Sequence, residues 1–468
     1  MHRRDVLRLG AVVIGMAGGA TTVGPTGRVS TAMARPPVAR VGAADRAYDF
    51  LDFMMDAYQS GGTLRLIQSY SDQGQLGSTS FVYDNALAIC AYLVRGGPGD
   101  TSRARVLGDS LLYAQENDPV YNDGRLRQAY WVGPFTLDFT ANSEYFVRAD
   151  GSVNLAGSPF DFRGSAVGDM AWAAIALARL HAQTSDRRYL DGAMRLGSWI
   201  VDNAFDTVGL GGYSFGVSSG NDRISATKSS EHNIDVCALF TNLLAPLTGD
   251  ASWAPQGQHA RDFIDLMWNA EAGFLYSGSN DGTTINRWPI AADVQAWSVL
   301  ALPDRPYARG LDWAKTNLVA TDTPQSLNTR LAGNLRLTGV TFSSASRSAT
   351  EKAGAFDPLP DPDAVWLEGT AQMVAALELR LAPDDSDLPT FHGDADTAEQ
   401  YLAHIELAQT TLGRGQAVDG RPIPEGNGIV AATSPLNTGF GFSYVPNLHV
   451  GATSWALIAA GRGNPYQL

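Results

Sequence analysis

Gly168-Asp169-Met170-Ala171-Trp172-Ala173-Ala174-Ile175-Ala176-Leu177 decides the architecture. After its opening acid it is apolar nearly all round, so as a helix it must be buried on every side. Alanine dominates because closely packed helices need small side chains and because alanine is the best helix former. Next along the chain, Ser185-Asp186-Arg187-Arg188-Tyr189-Leu190-Asp191 opens a segment in which Tyr189, Met194 and Ile200 return at helical spacing among Arg and Asp. Such a helix has one apolar stripe and belongs outside the first.

The pair repeats. Tyr83-Asp84-Asn85, Gly168-Asp169, Glu231-His232-Asn233-Ile234-Asp235, Ala292-Asp293-Val294, Trp366-Leu367-Glu368-Gly369-Thr370-Ala371-Gln372 and His449-Val450 each open an Ala-rich inner run. Their starts at 84, 169, 231, 293, 368 and 449 are 85, 62, 62, 75 and 81 residues apart. Amphipathic segments at 45–58, 102–117, 187–203, 258–268, 307–317 and 397–411 lie between them. Stacked helical hairpins bury one another's apolar faces, and six that close on themselves predict an all-α (α/α)6 toroid. Segment 45–58 then supplies the outer helix of the last inner one. The long insertions, 119–167, 206–230, 318–363 and 415–447, all enter the starts of inner helices. Loops therefore gather on one face, where a ligand site is expected.

The chain has 468 residues, which an average domain size would divide into about three, although one α/α barrel reaches this length. With 44% hydrophobic and 18% charged residues it is not a disordered chain. Its formal charge of −14, with no basic stripe, excludes a nucleic-acid groove. Two cysteines, Cys90 and Cys237, exclude a disulfide scaffold and a Cys-rich zinc site. They fall at equal depth on inner helices that are not neighbours, and are expected as buried thiols acting as small apolar residues. No nucleotide-binding glycine loop, nucleophile elbow or His-Glu-x-x-His is present, so neither a cofactor nor a metal is expected.

Residues 1–34 read as an address. Arg3-Arg4, a glycine-rich apolar stretch from Leu9 to Ala20 and Ala32-Met33-Ala34 resemble a twin-arginine signal peptide. The stretch is too short to span a bilayer. Cleavage after Ala34 would leave residues 35–468 as a single domain with 30 basic and 47 acidic residues, a net −17. The expectation is a protein handled by the twin-arginine machinery and working outside the cytoplasm, with no membrane attachment after cleavage.

The inner starts, above all Tyr83-Asp84-Asn85, Ser230-Glu231-His232-Asn233-Ile234-Asp235 and Trp366–Gln372, make the chain resemble the six-hairpin toroid carbohydrate-active enzymes. These are glycoside hydrolases, polysaccharide lyases and sugar epimerases on (α/α)6 barrels. The resemblance covers about residues 43–463. It is one of architecture and site style, and carries no catalytic assignment from any family.

Five inner helices open on an acid, Asp84, Asp169, Glu231, Asp293 and Glu368, and the sixth on His449. Helix capping is the plain alternative for each, strongest for Asp169. Glu231 and Asp235 share a helix face, with His232 and Asn233 on the same turn and Lys228 just before them. A salt-bridged network holding loop 206–230 is the alternative there. Glu368, beside Trp366 and a turn before Gln372, should have a raised pKa from desolvation, which a general acid needs. Glycoside hydrolysis takes one protonated and one ionised carboxyl. Glu368 is thus expected as acid and Glu231 as base or nucleophile, with Asp84 and Asp235 next, and inversion favoured by a wide mouth. Tyr83, Asn85, Trp131, His232, Asn233, Trp288, Asp293, Trp366, Gln372 and His449 are the expected contacts to a carbohydrate, whose apolar faces stack on aromatic rings. A lyase would use Tyr83 or His232 as base, with Asn85, Asn233, Lys228 or Arg287 on a uronate; an acidic mouth opposes that. A non-catalytic glycan-binding toroid, and an epimerase working through His232 and His449, are the other readings.

Overall fold

A computed structural model describes residues 38–58, 63–72, 76–136, 142–157, 162–302, 305–380 and 393–468. The expected signal, 1–34, lies outside them. The inner helices are Val82–Arg95, Val167–Thr184, Ser230–Ala238, Ala292–Ala301, Leu367–Arg380 and Val450–Ala460. The third runs on through a π-helical turn, Leu239–Leu244. The outer helices are Val38–Met55, Pro98–Glu116, Arg187–Ala204, Trp253–Met267, Arg309–Asn317 and Asp394–Thr411.

Each inner helix packs on the next, and the sixth packs on the first, so the ring is closed. Helix Val38–Met55 covers the sixth inner helix. The (α/α)6 toroid read from the apolar periodicity is the observed fold. The inner runs are buried throughout, and Cys90 and Cys237 lie among them. Glycine sets the spacing of some pairs: a Cβ on Gly192 would stand 2.3 Å from Leu112.

A belt of short pairings fixes the height at which inner helices begin. Thr79–Phe81 runs straight into the first and pairs antiparallel with Ala129–Trp131 from the next repeat. Ser165–Ala166 pairs with Gly216–Val217, and Lys228–Ser229 with Gly278–Ser279, in the same way. Single bridges continue the pattern at Ala291–Ser343 and Trp366–Ala432, and Tyr70–His449 joins the two ends of the ring. Below the belt each inner helix grips the loop that precedes its start. The backbone N–H groups of Ile67, Leu126, Tyr213, Leu275, Val340 and Ile429 donate to Asn85, Met170, Asn233, Gln295, Thr370 and Thr453. That is one latch per repeat, made by five residue types.

The acids at the inner starts are not N-caps. Phe81, Ala166, Ser229 and Ala291 hold the extended N-cap positions and make no side-chain cap. Asp84, Asp169, Glu231, Asp293 and Glu368 sit inside the first turn. The capping alternative is therefore replaced: the belt satisfies the helix starts and leaves the acids for the lumen. His449 is the exception, its Nδ1 accepting from the N–H of Ala452 at 3.2 Å.

Candidate active site

Because every inner helix starts from the same belt, its first-turn side chains reach the lumen at one level. Glu368 is the best-held of them. Its Oε1 accepts from the hydroxyl of Tyr83 at 2.6 Å and from Nε2 of Gln372 at 3.3 Å. Both donors are themselves fixed: Trp455 Nε1 donates to Tyr83, and Trp297 Nε1 donates to Gln372, each at 2.9 Å. Oε2 makes no hydrogen bond and stands 3.6 Å from His449 Nδ1. Burial pushes the Glu368 carboxyl up to about 7, against the opposing pull of His449 and the Tyr83 hydrogen bond.

His449 lies between two acids. Its Nε2 is 3.2 Å from Asp84 Oδ1, and its ring stacks on Tyr70 at 4.2 Å and 5°. Burial alone would lower its pKa, but Asp84 and Glu368 raise it. Gly451 keeps this corner open. A Cβ there would sit 2.6 Å from Asp84 Oδ1 and 3.0 Å from Glu368 Oε2. Those two oxygens are thus less than about 6 Å apart, by the same geometry that carboxyl pairs use on a sugar bond.

The ring continues through Asp169, Asp235 and Asp293. Each is buried and each has one oxygen without a hydrogen-bond partner, Oδ1, Oδ2 and Oδ2 respectively. Burial, with Asp84 nearby, holds the Asp169 carboxyl well above the usual range. Asp235 is raised by burial and by Asp293 and Asp169, partly offset by a hydrogen bond from Tyr466. Asp293 is pushed up to about 7 by burial. The groups acting on these carboxyls are acids, tyrosines, His449 and backbone N–H; none is a lysine or arginine. Among the described residues, no group of three or more His, Cys, Asp or Glu could hold a metal ion.

The third inner helix supplies Asp235 to this ring rather than Glu231. Glu231 lies one turn higher, 3.6 Å from His232 Nε2. His232 packs over Gly168 and against Phe215, and burial lowers its pKa to about 3, so it is neutral. Lys228 pairs with Asp206 at 2.9 Å and donates to the carbonyls of Val208 and Gly211, so it, not the acids, ties down loop 206–211. Asn85 and Asn233 spend their amides on loop backbone as latches. Trp366 stacks on Tyr444, whose buried hydroxyl has no partner and is faced by Tyr70, Glu368, Asp84 and Asp293. Trp131 is buried in its belt strand, while Trp288 is 60% exposed on the loop face. Two residues of the site had no sequence signal. Tyr70 and Tyr466 each sit in a short stretch without periodicity.

No protein-family model matches the chain, and no curated protein matches it. Among solved structures it is similar to D-mannose isomerase (TM-score 0.55, 13% identity, 91% of this chain and 98% of that one). It is also similar to the cellobiose 2-epimerase of Spirochaeta thermophila (TM-score 0.54, 13% identity, 91% and 98%). A third is the α-1,6-mannanase of Salegentibacter sp. (TM-score 0.50, 14% identity, 90% and 98%). At such identities the likeness is one of fold, and the fold is the six-hairpin toroid.

Proposed function

We propose that this chain is an exported carbohydrate-processing enzyme, a glycoside hydrolase that uses Glu368 as its general acid. The observation that carries the reading is the state of Glu368. Two fixed donors occupy Oε1, so the acid proton belongs on Oε2, the oxygen that faces the lumen unbonded. A carboxyl titrating near 7 is still protonated at neutral pH and can protonate a leaving oxygen. Asp84, beside His449, is the ionised partner. Its spacing from Glu368 suits a covalent double displacement (about 5–5.5 Å) better than the inversion expected from a wide mouth. Glu231, the base expected from the sequence, stands a turn above this corner and is a candidate for a neighbouring sugar unit. With no lysine or arginine acting on the ring, the substrate is a neutral glycan rather than a uronate or phosphorylated one. The fold neighbours include a mannanase, an isomerase and an epimerase, which supports carbohydrate chemistry in general. The mannanase has an inactive variant in which two adjacent aspartates are replaced. Here Asp384-Asp385 is the chain's one adjacent pair, outside the described residues, so the hydrolytic site is a different one.

One observation favours a second reading. An imidazole flanked by two acids and stacked on a tyrosine is equipped for proton transfer at a sugar carbon, and His232 stands on the inner helix three places round the ring from it. Isomerisation or epimerisation of a free sugar would use them.

The test incubates the whole chain with neutral polysaccharides, oligosaccharides and free aldoses, beside Glu368→Gln and His449→Gln. Hydrolysis releases reducing ends, falls about 10³-fold in Glu368→Gln and declines above pH 7 as the acid form is lost. A new ketose or epimer without new reducing ends, lost in His449→Gln, would establish the second reading. Ultraviolet absorbance of an unsaturated uronate, or silence on every sugar, would sink both. Export is tested separately: Arg3→Lys with Arg4→Lys should retain the chain inside the cell.

A further inference from the structure

After the last inner helix the chain turns back under the barrel. Gly461 and Gly463 make the turn possible, since a Cβ on either would lie 2.2 or 2.5 Å from Val94. The segment Gly461–Leu468 is then held at the ends of the inner helices away from the loops. Arg179, on the second, donates to the carbonyls of Asn464, at 2.9 Å, and Gln467. Asn464 donates to Leu300 O, on the fourth, at 3.2 Å. Tyr466 rises between them, fully buried, and its ring meets Trp172 edge-on at 5.1 Å and 74°. Its hydroxyl donates to Asp235 Oδ1 at 2.6 Å, while Asp235 Oδ2 has no partner.

We infer that Tyr466 is a positioning residue of the lumen, which pins Asp235 by one oxygen so that the other receives a hydroxyl of the bound sugar. The inference rests on the lumen being the sugar site. It follows from satisfaction of hydrogen bonds: a buried carboxylate with one oxygen held and one bare presents a directed acceptor, whereas an unpinned carboxyl would rotate among the acids around it. Those around it are Asp169 from the second inner helix and Asp293 from the fourth. Tyr466 is faced in turn by Tyr83 and Cys90 of the first. A donor to the charged form favours that form. Loss of the hydroxyl should therefore make Asp235 harder to ionise.

Tyr466→Phe keeps the ring against Trp172 and removes only the hydroxyl. On whatever sugar the wild type turns over, KM should rise about fivefold with kcat nearly unchanged, and the acid limb of kcat/KM should move up by about one pH unit. Neither change should occur when Tyr466→Phe is added to Asp235→Asn. Equal losses in both backgrounds, or a fall in kcat with no shift of the pH profile, would overturn the inference. A readout without activity separates it from the enzyme reading. Tyr466→Phe should lower the melting temperature by about 2 °C in the wild type and by far less in Asp235→Asn, whereas additive losses would refute the pairing. If no sugar is turned over, the enzyme reading fails while the melting cycle still decides whether Tyr466 and Asp235 act together.

Discussion

The shell and the lumen of this toroid both bury acids, and they treat them in opposite ways. In the shell, Asp394 has no exposure and receives Arg380 through two bonds of 2.6 and 2.7 Å, with Lys315 as a third partner. Asp118 receives Arg127 at 2.8 Å, and although burial alone would raise its carboxyl, Arg127 and two backbone N–H groups hold it below the usual value. In the lumen, Asp169, Asp235, Asp293 and Glu368 have no arginine or lysine, and burial raises every one of them. Burial says little about the role of an acid. The partner does: a matched acid is structural, and an unmatched one in a water-excluding ring is poised to exchange a proton or accept a hydroxyl.

This contrast can be broken from either side. The largest effect is expected on activity. Glu368→Gln should reduce turnover about 10³-fold while leaving the melting temperature equal or higher, because it removes a group that prefers not to ionise. A fall in stability equal to that of a shell variant would erase the distinction. Arg380→Ala should do the reverse, costing about 3–5 kcal/mol of stability by stranding Asp394 uncharged-for in the shell, as chemical denaturation would measure. Its kcat at a temperature where it stays folded should be that of the wild type.

The pH dependence of stability sharpens the comparison further. The lumen carboxyls bind protons more tightly folded than unfolded, so stability falls as pH rises from about 4 to 7, by about 2–3 kcal/mol for Glu368. Asp118 has the opposite sign, and its contribution is lost as pH falls below the usual carboxylate value. Denaturation across pH 3–8 should therefore show a maximum near pH 5, and Glu368→Gln should flatten its neutral side. An unchanged profile would place Glu368 among ionised acids. The smallest effect belongs to neither region. Trp288→Ala, on the loop face, should raise KM two- to threefold for a polymer and leave short substrates and stability untouched; equal KM values for both would remove Trp288 from the binding surface.

The repeat was legible because burial on all sides leaves an Ala-rich apolar run, and six such runs mark the ring whatever the loops do. The depth of a side chain was less so. Glu231 and Asp235 share a face by helical period, but which of them meets the other acids depends on where the belt starts the helix, and a belt of two- or three-residue pairings leaves no pattern. The latches show the same limit from another direction. Asn, Met, Asn, Gln, Thr and Thr do one job, so no repeat of residue type announces it, and Asn85 and Asn233 read as polar site residues when their amides hold loops. Tyr70 and Tyr466 reach the lumen through contacts to His449 and Asp235, hundreds of positions away.

The bridge between Tyr70 and His449 also has a kinetic meaning. Ser71 N–H donates to Leu448 O and Val450 N–H to Ser69 O, so the ring is sealed by segments separated by nearly the whole chain. Hairpins can form and stack locally as they are made, but an arc of five has no sealed lumen, and its acids remain hydrated and ordinary. Only the last closure dries them, and long-range closure is the slow kind. Chemical competence should therefore arrive late and all at once in folding. A circular permutant that opens the ring between two other hairpins would make the Tyr70–His449 seam local and move that slow step elsewhere.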